Sequence, residues 1–289
     1  MADLDLSREL ARRVEELPTL PPVALKLLAI LKDEENSLRD AAKVVQNDAA
    51  ITARLLRVAN SAAFSRGKPI TSVFRAVMHL GMRMVAGITI GSCASSLIRQ
   101  PLRGYEAEIG ELWDHSLRAA TASREFAFFA TTSVPADLAF TAGLLHDIGK
   151  SVISEFLAEK AGRIRELQAA GGATYVEIER AVTGTDHAAV GFAVAEHWGL
   201  PDPLLQAIRW HHEPMEGDEE SRPLIYSVHL GDLIAQLGGS GTGADTLAYR
   251  IDENYQKYLQ ISEHDLSRLL INVETEFSAS RSIVFDNAA

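Results

Sequence analysis

Cysteine is almost missing from this chain: Cys93 stands alone among 289 residues. An internal disulfide is therefore excluded, and a reducing, cytoplasmic setting is the expectation. Cys93 lies in the small-residue run Gly91-Ser92-Cys93-Ala94-Ser95-Ser96, which reads as close helix packing in preference to a nucleophile. Long apolar runs are missing too. No stretch is long enough to span a bilayer, and the charged start MADLDLSRELARRVEEL has no apolar core of a secretory signal. Alternating apolar and polar residues of the kind that builds strands are hard to find, so a sheet is not expected. What remains is the composition of an ordinary globule, with 47% hydrophobic residues and a mean hydropathy near zero.

Acidic residues are absent from one part of the chain. Between residues 51 and 100 there is no Asp or Glu, while Arg54, Arg57, Arg66, Lys68, Arg75, Arg83 and Arg99 give the segment a charge of +7. The whole chain carries −11, so the remainder carries −18. The overall acidity disfavours nonspecific binding to nucleic acid or to an anionic membrane. The basic segment either balances an acidic neighbour or forms a docking face for a phosphate-bearing ligand or an acidic partner.

Leu, Ala, Glu and Arg dominate, and apolar residues recur at three and four, so nearly every segment reads as helix. Pro22 suits a helix first turn, Ser37-Leu38-Arg39-Asp40 a capping box, and Asp48, Thr71 or Ser72, and Thr185-Asp186 suit N-caps. Gly199 ends the helix from His187 to Trp198. About five short helices are expected before residue 100. Gly238-Gly239-Ser240-Gly241-Thr242-Gly243 reads as the one linker, followed by two helices near Ala244–Leu259 and Asp265–Ser278, the second opened by a capping box at Ser262.

The stretch that carries chemistry is Gly143-Leu144-Leu145-His146-Asp147-Ile148-Gly149-Lys150. A carboxylate among Leu and Ile is costly unless something positive or hydrogen-bonding meets it. A divalent metal is the economical partner, with His146 offering an imidazole nitrogen and Asp147 an oxygen. Other donors follow the same theme: His115, His187, His211-His212 and Asp232. Each has a plainer reading as a core, capping or helix-end residue. His197 falls ten residues after His187 on the same helix and reads as structural, as do His79, His229 and His264.

The segments "LPTLPPVALKLL", "NDAAITARLLRVANSAAF", "ITSVFRAVMHLGMRMVAGI", "AGLLHDIGK" and "HWGLPDPLLQAIRWHHEP" occur in this order. Together they closely resemble the HDOD family, a helical relative of the HD phosphohydrolases found in bacterial signalling proteins. The resemblance runs from about Leu17 to Asp232, and the C-terminal helices to about residue 270 are expected to belong to it. It implies an all-α fold, with an N-terminal helical subdomain (1–100) packed on an HD-like helical core (101–237), then a linker and C-terminal helices (238–289). The order of His115, His146-Asp147, His187, His211-His212 and Asp232 is similar to the ligand order of HD-GYP phosphodiesterases. That likeness implies two or three iron or manganese ions bridged by Asp147. His115, His146 and Asp232 complete one ion; His187, His211 and His212 serve the others. By the same likeness Lys150 and Arg118 match basic residues near substrate phosphate.

One absence weighs against turnover. Where HD-GYP enzymes carry Gly-Tyr-Pro, this chain has Pro214-Met215-Glu216-Gly217-Asp218-Glu219-Glu220, an acidic loop that would repel a phosphodiester. The favoured expectation is a stand-alone regulatory, signal-transducing HDOD protein that acts through a signalling protein partner or a small nucleotide ligand. Its face would comprise Arg54, Arg57, Asn60, Arg66 and Lys68, and Arg118 would serve ligand. The alternative is a metal-dependent phosphohydrolase of nucleotides or cyclic dinucleotides, with Asp147 and Lys150 catalytic. A DNA-binding regulator gains only the basic segment and lacks a helix-turn-helix sequence.

Overall fold

A computed structural model describes residues 2–32, 36–61, 64, 67–246 and 248–280. Arg66, one of the expected partner-binding residues, lies outside them. The described residues form α-helices and no strand; only two isolated bridges occur, Leu102 with Ala107 and Ala130 with Leu259. This is the all-α class expected from the spacing of apolar residues.

Six helices precede residue 100: α1 (Ala2–Glu15), α2 (Pro22–Lys32), α3 (Leu38–Gln46), α4 (Ala49–Ala59), α5 (Val73–Leu80) and α6 (Met82–Ile98). Their ends follow local chemistry. The carboxylate of Asp48 accepts the Ile51 N–H at 3.0 Å, and Ser37 and Asp40 exchange a capping box. Ser72, rather than Thr71, caps α5 by accepting from Arg75 N–H. Gly81, at φ 82°, turns the chain sharply between α5 and α6. No single described helix is long and apolar enough to cross a membrane; α5 and α6 pass that test only together, across a bend of 107°.

The second half comprises α7 (Glu111–Ala127), α8 (Ala136–Leu145), α9 (Lys150–Ala158), α10 (Ala161–Ala170), α11 (Tyr175–Thr183), α12 (His187–His197), α13 (Asp202–Trp210) and α14 (Arg222–Leu237). After an irregular stretch come the single turn α15 (Tyr255–Tyr258) and the long α16 (Glu263–Ser280). Helix α7 is the axis. It packs on α8 and α14, and α16 lies along it. Helix α6 is buried along most of its length and carries contacts from α2 to α8, so one hydrophobic core runs through both halves. Helix α1 lies against α9, α11 and α12, so the chain's start is fastened to the second half.

The expected helix near Ala244–Leu259 shrinks to Tyr255–Tyr258. The side chains of Asp245 and Tyr249 are drawn inward to polar partners, as described below, and that demand overrides helical propensity. The Gly-rich stretch before it is likewise not a free linker: Ser240 and Thr242 are buried.

Two glycines explain the close packing of the His-Asp segment. A Cβ on Gly143 would fall 2.8 Å from Ala120 Cα of α7. A Cβ on Gly149 would fall 1.9 Å from His187 O and 2.5 Å from Gly191 N. These neighbours are backbone and cannot yield, so Gly149→Ala should destabilise by about 2 kcal/mol or more. The check is a thermal melt beside Gly162→Ala, whose Cβ meets nothing within 4 Å and which should melt no lower than the native chain. Cys93 donates its S–H to Thr89 O, and burial pushes its thiol up to about 11. Iodoacetamide at neutral pH should therefore leave the native thiol largely unmodified and alkylate it rapidly after unfolding.

Candidate metal centre

Five elements converge on one buried point. Helix α7 supplies His115 from its second turn. Helix α8 ends by delivering His146 and Asp147, and α13 ends by delivering His211 and His212. His187 opens α12, where Asp186 caps the helix by accepting the Ala189 N–H at 2.7 Å. Asp232 comes from α14. All of the residues expected as ligands are thus brought together, and every one is buried or nearly so.

Asp147 sits at the middle. Its Oδ2 faces His115 Nε2 at 3.3 Å and His146 Nε2 at 3.4 Å. Its Oδ1 faces His187 Nε2 at 3.2 Å and His211 Nε2 at 3.7 Å. Asp232 Oδ1 stands 3.1 Å from His115 Nε2 and 3.8 Å from His146 Nε2. His187 Nε2 lies 3.0 Å from His212 Nε2 and 3.4 Å from His211 Nε2. The donors therefore fall into two sets that share Asp147: His115 and His146 on one side, with Asp232 adjoining, and His187, His211 and His212 on the other.

The rings are oriented by their outer nitrogens. His115 Nδ1 donates to Ser240 O at 2.7 Å, His146 Nδ1 to Gly143 O at 2.8 Å, and His211 Nδ1 to Ile208 O at 2.8 Å. A carbonyl only accepts, so each of these Nδ1 atoms carries hydrogen and each Nε2 is left to face the centre. His187 Nδ1 lies 2.8 Å from the buried carboxylate of Glu179, which also accepts the His187 N–H and the Tyr105 O–H. Orientation by carbonyls and a carboxylate is what metal-ligating imidazoles require. His229 supports the floor: its Nδ1 donates to His211 O, and its Nε2 accepts the Asp252 N–H.

Nitrogen and oxygen acceptors facing one another at these distances need positive charge between them. Protons supply part of it. Burial disfavours charge on His146, but Asp147 and Asp232 outweigh it and lift its pKa to about 9. Burial likewise opposes charge on His187, yet Glu179 and Asp147 raise it to about 10. His211 and His212 go the other way, held neutral by burial and by the neighbouring imidazoles. Asp147 and Asp232 stay ionised against their burial because of these rings and, for Asp147, Lys150.

The fit to a divalent ion is good on two counts. Donors each about 2.1 Å from a shared ion, at right-angled or tetrahedral separation, stand about 3.0–3.4 Å apart. Most of the distances above fall in that band. Both oxygens of Asp147 are buried and receive no hydrogen bond of acceptable geometry, although imidazoles and an ammonium surround them. A carboxylate so placed is accounted for by cations on either side. The histidine and carboxylate donor set suits iron, manganese or zinc.

Lys150 and Arg118 are engaged within the protein. The Lys150 ammonium, fully buried, lies 2.8 Å from Asp147 Oδ2, 2.9 Å from Thr242 Oγ1 and 2.6 Å from Asp245 Oδ2. Two of its donors go to Thr242 and Asp245, and its charge faces Asp147. Arg118 donates to Ser240 Oγ, pairs with Glu274 and lies over the Phe277 ring, so it ties α7 to α16. Asn60 spends its amide on Leu56 O and on both backbone groups of Ile70. Arg54 is buried on α4, while Arg57 and Lys68 are exposed. His197 approaches Leu17 O and takes no part in the centre.

Several participants were not anticipated: Glu179, Asp245, Thr242, Tyr249 and the Ser240 carbonyl. They form a cover. Tyr249 stacks on His212 with centroids 4.0 Å apart, and its hydroxyl donates to Asp245. An approach beside them is a cavity of about 160 Å³ bordered by His212, Tyr249, Arg180, Arg250, Glu177 and Glu213.

An all-helical chain with a buried histidine and aspartate centre shared between two donor sets defines an HD-type protein. The HDOD domain profile matches residues 17–214, and the chain belongs to the HDOD family. A Geobacter sulfurreducens HDOD protein of unknown function superposes with a TM-score of 0.72 at 23% identity, covering 99% of both chains. A Marinobacter aquaeolei VT8 protein, provisionally named for signal transduction, gives 0.75 at 21% identity over 98% of this chain and 66% of its own. A Shewanella amazonensis SB2B protein, provisionally named a metal-dependent phosphohydrolase, gives 0.66 at 23% over 96% and 97%. A curated Treponema pallidum protein without an assigned function is 24% identical over 278 residues. The chain spans about half the length of that relative.

If the centre holds metal, Asp147→Ala should abolish it, since that residue belongs to both sets. Anaerobic purification without a histidine tag, followed by elemental analysis, should find at least one equivalent in the native protein and none in the variant. Glu179→Gln should keep the ligands but loosen His187, weakening affinity by about 10–100-fold in a chelator competition.

Proposed function

We propose that this protein is a regulatory signal-transduction module of the HDOD family, acting through protein or ligand binding. In this reading the HD half holds divalent metal as a conformational element, and output passes through the N-terminal helices. The observation that carries it is the cover over the centre. Lys150 is consumed by Asp147, Asp245 and Thr242, and Tyr249 lies flat on His212. No cation is thus left at the centre to receive a substrate phosphate among the described residues that line the approach, other than Arg180 and Arg250 at its rim. Arg180 is itself held by Asp186 and by both oxygens of Glu213. The cavity is also smaller than the pockets that hold nucleotide-sized ligands, about 300 Å³ or more. Exposed Arg57 and Lys68, in a stretch without acids, offer the partner face.

A second reading, a metal-dependent phosphohydrolase of nucleotides or cyclic dinucleotides, draws support from the complete donor set around Asp147. Bound metal would polarise a phosphoryl oxygen and acidify a bound water. The chain's own part would be to orient the imidazoles through Glu179 and the backbone carbonyls, and to exclude bulk water with Tyr249. This reading requires residues 238–250 to swing away.

The two readings separate by assay. Protein reloaded anaerobically with iron or manganese should show no turnover over a panel of nucleotides and cyclic dinucleotides. It should instead show metal-dependent protection of α2–α6 in hydrogen exchange. Turnover at enzyme-like rates, about 1 s⁻¹ or faster, lost in Asp147→Ala, would favour the second reading and overturn the first.

A further inference from the structure

An apolar cavity lies between the two halves, at the ends of α8 and α13 away from the metal centre. Its volume is about 230 Å³. Leu28 and Leu31 of α2, Ala86 and Ile90 of α6, Leu138 of α8 and Leu204 of α13 make its walls. Lys32 and Arg83 also line it, and both are exposed, which places them at its opening. Among the described residues, no Asp or Glu lines the cavity. Asp137 and Asp202, in the first turns of α8 and α13, are not among the lining residues, and Asp33, Glu34 and Glu35 lie outside the described residues. Neither Lys32 nor Arg83 makes an ion pair with another described residue.

An apolar chamber with two cations at its mouth selects for a single apolar chain ending in an anion. We infer that this cavity is a binding site for a free, small amphipathic anion: one medium-length acyl or alkyl chain carrying a carboxylate or phosphate. The chain displaces water from the leucine and isoleucine walls, and the head remains at the rim beside Lys32 and Arg83. Charge on both sides of the opening fixes the orientation, while the enclosed volume limits the tail to one chain.

The position gives the site meaning for the whole molecule. Helix α8 lines the cavity near its start and ends at His146 and Asp147; α13 does the same and ends at His211 and His212. Helices α2 and α6, which complete the walls, belong to the N-terminal half. A ligand here touches both halves and the two rods that carry four of the metal donors.

Titration calorimetry with decanoate tests the site, with decanol as the uncharged counterpart. Native protein should bind decanoate at a single site in the micromolar range. Lys32→Glu with Arg83→Glu, both exposed, should fold normally and weaken decanoate at least tenfold while leaving decanol unchanged. Ala86→Leu, which fills the chamber, should weaken both. Acetate, which has the same carboxylate without the tail, should show no binding, which separates the cavity from the metal centre and keeps this result independent of whether metal is held. Equal binding by the native chain and the charge-reversed variant would overturn the proposal, as would acetate binding as tightly as decanoate. Co-sedimentation with anionic phosphatidylglycerol vesicles, lost on charge reversal, would transfer the cavity to a membrane lipid and overturn the free amphiphile.

Discussion

The structure depends on one buried carboxylate. Asp147 lies in a segment of Leu, Ile and Gly with almost no exposure, and its charge is kept against the cost of leaving water. Four imidazole nitrogens and one ammonium stand within 4 Å of its two oxygens. Those groups come from α7, α8, α9, α12 and α13, so the carboxylate can be satisfied only when five helices are in place. Removing one partner from so tight an ionic cluster costs about 3–5 kcal/mol, which links the chemistry of the site to the stability of the second half.

The same carboxylate explains why the stretch between α14 and α15 is not helical. Lys150 follows Asp147 by one helical turn and is buried with it, so its remaining donors need acceptors. Asp245 and Thr242 provide them, and Asp245 is in turn held by the hydroxyls of Thr242 and Tyr249. The Ser240 carbonyl meanwhile accepts from His115. A segment whose side chains and carbonyls must all point inward cannot keep helical periodicity. The glycines at 241 and 243 let it pass close: a Cβ on Gly243 would sit 2.1 Å from Tyr105 O. The cover is a consequence of Lys150, and Lys150 is a consequence of Asp147.

Much of this was legible in the sequence, and the reason differs from residue to residue. Helices were readable from apolar spacing, and their starts from Asp48, Ser37 and Asp186, because capping is local. The donors His115, His146, Asp147, His187, His211, His212 and Asp232 were readable as a set only through resemblance to HD proteins; spacing could not show that separate helices converge. Glu179 was hidden. On α11 it is one acidic residue among several, and nothing local distinguishes it from Glu177, which caps its own helix. Asp245 and Tyr249 were hidden for the opposite reason: a Gly-rich run before them reads as linker, and their partner Lys150 is 95 residues away. Lys150 and Arg118 were expected near substrate phosphate by likeness to HD-GYP proteins; their surroundings, which the sequence does not display, instead pair them within the protein.

A closed centre and an open cavity on the two ends of the same helices have a physical implication. Interiors are close-packed, so a helix displaced at one end moves as a rod and not as a spring. The donors around Asp147 tolerate displacements well below an ångström before the match to a shared ion is lost. A difference in how α8 sits against α6 is therefore passed along α8 toward His146 and Asp147. Coupling of this kind is reciprocal. Gly91 of α6 makes the contact especially intimate, since a Cβ there would fall 2.4 Å from a Leu144 methyl on α8. The same core that holds α6 against α8 therefore also holds the end of α8 at the ionic cluster around Asp147.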